Sequence, residues 1–188
     1  MAFAQTFRDL PRRDERRIKL TASCDLMETA DQKNATPTPR APIVALDLGE
    51  RRVGIAVSDA LSISITRLEA LPRSSWKQML RDVDDLIRRF DAQTVVIGLP
   101  LRLNGSAGDA ALEARRVAQK FARSLAVPVY LQDERLSSVE AEQILRAEGH
   151  RREEISALVD SAAAAVILRD FLIDSQERIL VPPSEQTL

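Results

Sequence analysis

Cysteine and histidine occur once each in this chain, as Cys24 and His150. A single thiol excludes an internal disulfide framework and a thiolate-rich metal site. A single imidazole excludes the multi-histidine zinc centres. Long hydrophobic runs are missing too: no stretch approaches the roughly 18 residues needed to span a bilayer. The first 30 residues lack the apolar core of a secretory signal. Neither sign of charge dominates, with 27 basic against 28 acidic side chains and a net charge of −1. The acidic excess lies beyond residue 40, so the chain has no global basic footprint of the kind nucleic-acid binders carry. With thiols and imidazoles so scarce, any catalytic metal must rest on carboxylates, whose hard oxygens favour Mg²⁺ or Mn²⁺.

What is present is the composition of a globular protein, 45% hydrophobic and 29% charged over 188 residues, enough for one domain with a sizeable core. Residues 1–40 show no sustained period and end in a proline-rich stretch holding Pro37, Pro39 and Pro42, which predicts a disordered extension. The ordered domain is expected over 41–176, with a tail over 177–188.

Strands are predicted at 43–48, 52–58 and 64–71, the first two as a hairpin. Trp76, Met79, Leu80, Val83, Leu86, Ile87 and Phe90 recur at helical spacing behind a Ser74 or Ser75 cap. A buried strand follows at 94–99, then an Asn104-Gly105 turn, a helix over 108–125 and a fifth strand at 127–131. Ser137 or Ser138 caps the next helix, Ser137 with Glu140 fitting a capping box, and a last helix is expected over 156–174. The order βββαβαβαα predicts an α/β fold with a mixed five-stranded sheet flanked by helices. Its first strand must be central, beside the fourth. Ligands gather at the carboxyl ends of such strands, which is where Asp47 falls.

Asp47 interrupts the apolar run Ala-Leu-Asp-Leu-Gly, a costly place for a carboxylate unless it is paired, hydrogen-bonded or metal-bound. Asp133-Glu134-Arg135 follows the fifth strand, and either acid could face inward. With one strand between, Asp47 and Glu134 would stand about 10 Å apart at the backbone. A metal could then bridge them only if the middle strand offers no bulk, which gives Gly98 a reason. Asp160 precedes an alanine run at or near the start of the last helix, where an acid also suits the helix dipole. Three convergent carboxylates could hold ions that activate water and stabilise the leaving oxygen of a phosphodiester. Residues 98–108 lack the ending of a P-loop but could cradle phosphates, aided by Arg102. Arg51, Arg52, Arg115, Arg135, Arg151 and Arg152 are further candidates for phosphate contact.

Asp47-Leu-Gly, Arg52-Val-Gly-Ile-Ala-Val-Ser-Asp59, Val96-Ile-Gly-Leu-Pro100, Asp133-Glu-Arg-Leu-Ser-Ser and Asp160 with its alanines together resemble the YqgF (RuvX) family, in the right order over about 43–174. The resemblance implies an RNase H-like fold related to Holliday junction resolvases of the RuvC type. It also implies a cytoplasmic nuclease that matures the 5′ end of precursor 16S rRNA. Asp47, Glu134 and Asp160 are then its catalytic, metal-binding acids, and structured RNA its partner. Branched DNA is the alternative substrate, and monomer and homodimer both stay open, although a four-way junction calls for two symmetry-related sites. A non-catalytic nucleic-acid-binding module and an actin-like nucleotide-binding domain compete from other classes; the chain is too short for the second half of the latter.

Overall fold

The computed structural model describes residues 38–135, 137–176 and 178–183. The expected extension over 1–40 lies almost wholly outside the described residues. In chain order the elements are β1 (Ile43–Leu48), β2 (Arg52–Ser58), β3 (Ile65–Pro72), α1 (Trp76–Phe90), β4 (Thr94–Leu99), α2 (Asp109–Ser124), β5 (Val129–Asp133), α3 (Ser137–Ala147), α4 (Arg152–Ile173) and β6 (Ile179–Leu180). The sheet runs β3-β2-β1-β4-β5-β6. Its β3-β2-β1 half is antiparallel, β4 and β5 continue parallel to β1, and β6 closes the edge antiparallel to β5. Among the described residues the sheet thus has six strands where five were expected. The sixth is two residues long, too short to leave a period in the sequence, and it draws the start of the expected tail onto the sheet.

Alternation assigns the two faces. Val44, Leu46, Val95, Ile97, Val129 and Leu131 point to α1 and α2, where Met79, Val83, Val117 and Phe121 meet them. Trp76 of α1 and Phe121 of α2 join the two helices with ring centroids 4.8 Å apart. On the other face Ala45, Ala56, Val96 and Tyr130 meet Ala164, Ile167, Leu168 and Phe171 of α4. The small side chains of the 162–165 run let α4 lie close to the sheet and also take α3, through Ala141 and Leu145, on its far side.

Element ends depart from expectation in instructive ways. Ser75 caps α1, its side chain accepting from the Gln78 amide. Ser137 is the first residue of α3 rather than its cap, and Glu140 takes both terminal nitrogens of Arg169 instead of closing a box. The helix α4 starts at Arg152, four residues earlier than expected. Glu154 reaches back to the Arg151 amide at 2.8 Å, the glutamate half of a capping box without the serine or threonine that usually announces one. Asp160 therefore lies in the interior of α4, beyond the first turn where the helix dipole favours an acid. Among the described residues no helix is long and apolar enough to cross a membrane.

Candidate active site

Sheet register places four residues in one row across the α4 face. Asp47 is opposite Gly54 on β2, and Gly98 is opposite Gln132 on β5. Leu46 pairs with Ile97, so the next step along both strands sets Asp47 beside Gly98. The row reads Gly54, Asp47, Gly98, Gln132, at the carboxyl ends of β1, β4 and β5.

Both glycines make room. A Cβ built on Gly54 would stand 1.9 Å from the backbone oxygen of Asp160, so only glycine lets α4 settle on β2 at this point. That contact brings a mid-helix acid next to Asp47. A Cβ built on Gly98 would stand 1.7 Å from Oε2 of Glu134, so the glutamate lays its carboxylate over the strand between itself and Asp47. The backbone of Glu134 is held at this spot by its amide donating to the Leu99 carbonyl at 3.2 Å.

The electrostatics follow from that crowding. Burial pushes the Asp47 carboxyl up to about 6, and the charge of Asp160 adds to the effect. Burial pushes Glu134 up to about 8, reinforced by Asp47 and then by Asp133. Among the described residues neither Asp47 nor Glu134 forms an ion pair, and Glu134 Oε2 is buried with no hydrogen-bond partner. Two desolvated acids without a counter-charge are the arrangement a hard divalent cation relieves.

Asp160 is engaged elsewhere. Its carboxylate accepts from Arg52 Nε at 2.7 Å, and Arg52 also donates to the Ser156 carbonyl one turn back on α4. Accordingly, among the described residues no three His, Cys, Asp or Glu side chains stand together as a ready cluster for one ion. The structure brings Asp47 to Glu134 and sets Asp160 against Asp47. Asp133 faces the other way, in register with Leu99, and its carboxylate accepts from the amide and Nε of Arg135 at 3.0 and 2.7 Å. The acid lying over Gly98 is Glu134.

The candidate phosphate-binding arginines do not share one circumstance. Arg52 and Arg135 are paired to acids, while Arg51, Arg102, Arg115, Arg151 and Arg152 are exposed. In the loop after β4 several amides are already engaged. The amides of Arg102, Gly105 and Ser106 are spent on Ser106 O, Arg102 O and Asn104 Oδ1, so residues 102–106 form a closed hairpin turn. His150 stands between Glu148 and Glu154, 3.6 and 3.5 Å away, at the α3–α4 junction.

Sequence reasoning passed over Arg73. Its Nη1 donates to the carbonyls of Leu48 and Gly49 at 3.2 and 2.8 Å, and its amide to Arg51 O at 2.8 Å, bracing the turn that follows Asp47. The same arginine lines a cleft of about 310 Å³ with Gly98, Glu113 and Glu134. Nothing in Leu-Pro-Arg-Ser announces that role, because its partners are backbone oxygens some two dozen residues earlier.

An antiparallel hairpin half, a parallel half and a helix laid across partly buried acids give the RNase H-like α/β arrangement expected from the sequence. The family model described as "RuvX: Holliday junction resolvase" matches residues 41–174. A relative from Syntrophus aciditrophicus, named "Putative pre-16S rRNA nuclease", is 37% identical over 138 residues, covering 73% of this chain and 92% of the relative. One of the same name from Anaeromyxobacter is 40% identical over 129 residues, covering 69% and 94%. The chain belongs to the RuvX family. Among solved structures, Thermus thermophilus RuvC in complex with Holliday junction substrate aligns with a TM-score of 0.44 at 17% identity, over 74% of this chain and 98% of that one.

Proposed function

We propose that this protein is a metal-dependent endonuclease that uses Asp47, Glu134 and Asp160 to cleave phosphodiester bonds, with precursor 16S rRNA as its substrate. The carrying observation is the Glu134 carboxylate, folded over Gly98 beside Asp47, its Oε2 buried and without a hydrogen-bond partner among the described residues. Such oxygen donors suit Mg²⁺ or Mn²⁺. A divalent ion bound there supplies an activated water and stabilises the leaving oxygen. Asp47 would contribute a carboxylate fixed by a central strand, and Glu134 one that burial and the neighbouring acids push up to about 8, so that a bound cation would favour its ionised form. Asp160 completes the set by leaving Arg52, which frees that guanidinium for a backbone phosphate. The exposed arginines Arg51, Arg102, Arg115 and Arg151 add phosphate contacts to a structured RNA in the cytoplasm. The names carried by the relatives favour rRNA, while the family description favours a four-way DNA junction, which requires a homodimer for paired cuts. Residues 41–176 are the catalytic domain in this proposal, extended by β6, and residues 1–40 are dispensable for cleavage.

The test offers labelled precursor rRNA and a four-way junction to the purified protein with Mg²⁺ or Mn²⁺. Wild type is expected to cut the rRNA, and Asp47→Asn and Glu134→Gln to lose on the order of a hundredfold or more in rate. Undiminished cutting by both variants overturns the carboxylate mechanism. Cutting of the junction alone, by a dimer, replaces rRNA with branched DNA.

A further inference from the structure

Among the described residues four buried side-chain atoms lack a hydrogen-bond partner, and three of them belong to two residues near the end of one strand: Nε2 and Oε1 of Gln132 and Oε2 of Glu134. Gln132 is wholly buried. A leucine or methionine would fill the same volume without the penalty of an unpartnered amide, so the glutamine needs a use. Position supplies one. Gln132 pairs with Gly98, and Glu134 Oε2 occupies the place a Gly98 Cβ would take. The carboxylate oxygen therefore lies about one strand spacing, roughly 5 Å, from the root of the Gln132 side chain and on the same face of the sheet. That is within reach of its amide.

We infer that Gln132 is a positioning residue for Glu134, its Nε2 donating to the carboxylate when that carboxylate is ionised and cation-bound. The inference rests on Asp47 and Glu134 forming a divalent-cation site. An amide suits the task because it orients a carboxylate without neutralising it. A lysine or arginine at this position would supply the counter-charge itself and compete with the ion.

The experiment titrates Mn²⁺ into the metal-free full-length chain, followed by electron paramagnetic resonance, for wild type, Gln132→Met, Gln132→Leu and Glu134→Gln. Thermal melts in chelator accompany it. Gln132→Met is expected to melt no lower than wild type yet to bind Mn²⁺ about 10- to 100-fold more weakly, the usual cost of losing a ligand's supporting partner. Gln132→Leu guards against an effect peculiar to methionine and is expected to behave alike. Wild-type Mn²⁺ affinity in both apolar variants, with affinity lost in Glu134→Gln, overturns the positioning role and leaves the cation site standing. If both apolar variants melt well below wild type, the amide is already bonded within the fold and the inference fails. Wild type that binds no Mn²⁺ overturns the cation site and the positioning role together.

Discussion

Two adjacent layers under α4 are built on the same four strands and differ completely. The lower layer is Ala56, Ala45, Val96 and Tyr130, packed dry against Ala164, Ile167, Leu168 and Phe171. Two residues along each strand, toward the carboxyl ends of β1, β4 and β5, the upper layer is Gly54, Asp47, Gly98 and Gln132. Backbone register, helix and sheet are common to both, so the contrast comes from side chains alone. The lower layer fills its space with apolar atoms and stabilises the fold. The upper layer removes two side chains altogether, giving the room to the α4 backbone at Gly54 and to the Glu134 carboxylate at Gly98, beside an amide whose hydrogen-bonding capacity goes unused. Apolar packing is concentrated in one layer and the candidate site in the next, a few ångströms apart.

The sharpest break in this contrast should come from Phe171→Ala. Phe171 is fully buried, with its ring 5.5 Å from that of Tyr130. Its loss should cost about 3–5 kcal/mol in a denaturant melt while turnover per folded molecule stays near wild type. Gly98→Ala should do the reverse, since the added methyl meets a side chain that can move: roughly a hundredfold slower cleavage from a displaced Glu134, with a smaller stability loss. Gly54→Ala should harm both properties, because its methyl meets helix backbone; about 1–3 kcal/mol of destabilisation is expected. The last test reads pH dependence. Folding raises the Asp47 carboxyl to about 6 and Glu134 to about 8, so the native state holds protons that the unfolded chain releases above its ordinary carboxylate range. In metal-free buffer Tm should therefore fall as pH rises from about 4 through 8. Glu134→Gln should flatten the upper part of that slope. A slope unchanged by this substitution means that Glu134 is not the group responsible.

How far the sequence disclosed this arrangement depended on the range of the interaction. β1, β2 and β4 were legible to the residue because each is a β-branched run bounded by turn residues. Gly98 was legible because strand order set it between two acids. Gly54 was not: its partner is the backbone of a helix more than a hundred residues later, and an alternating strand tolerates a glycine without comment. The start of α4 was missed because Arg-Arg-Glu-Glu offers no serine, threonine or asparagine cap, and Asp160 was consequently read as a first-turn acid. β5 was placed two residues early because Gln132 and Asp133 look like the beginning of a loop. Polar residues at strand ends are where propensity reads loop and where an α/β sheet keeps its chemistry.

The interior position of Asp160 also orders events in time. β1 is the first element of the domain to be synthesised and α4 the last helix, so Asp47 leaves the ribosome long before the segment that covers it. Until α4 docks, neither the approach of Asp160 to Gly54 nor the pocket that Ile167 helps to close over Glu134 exists. A partly made chain therefore carries the acids without the centre. Completion of the fold is what brings the pair together.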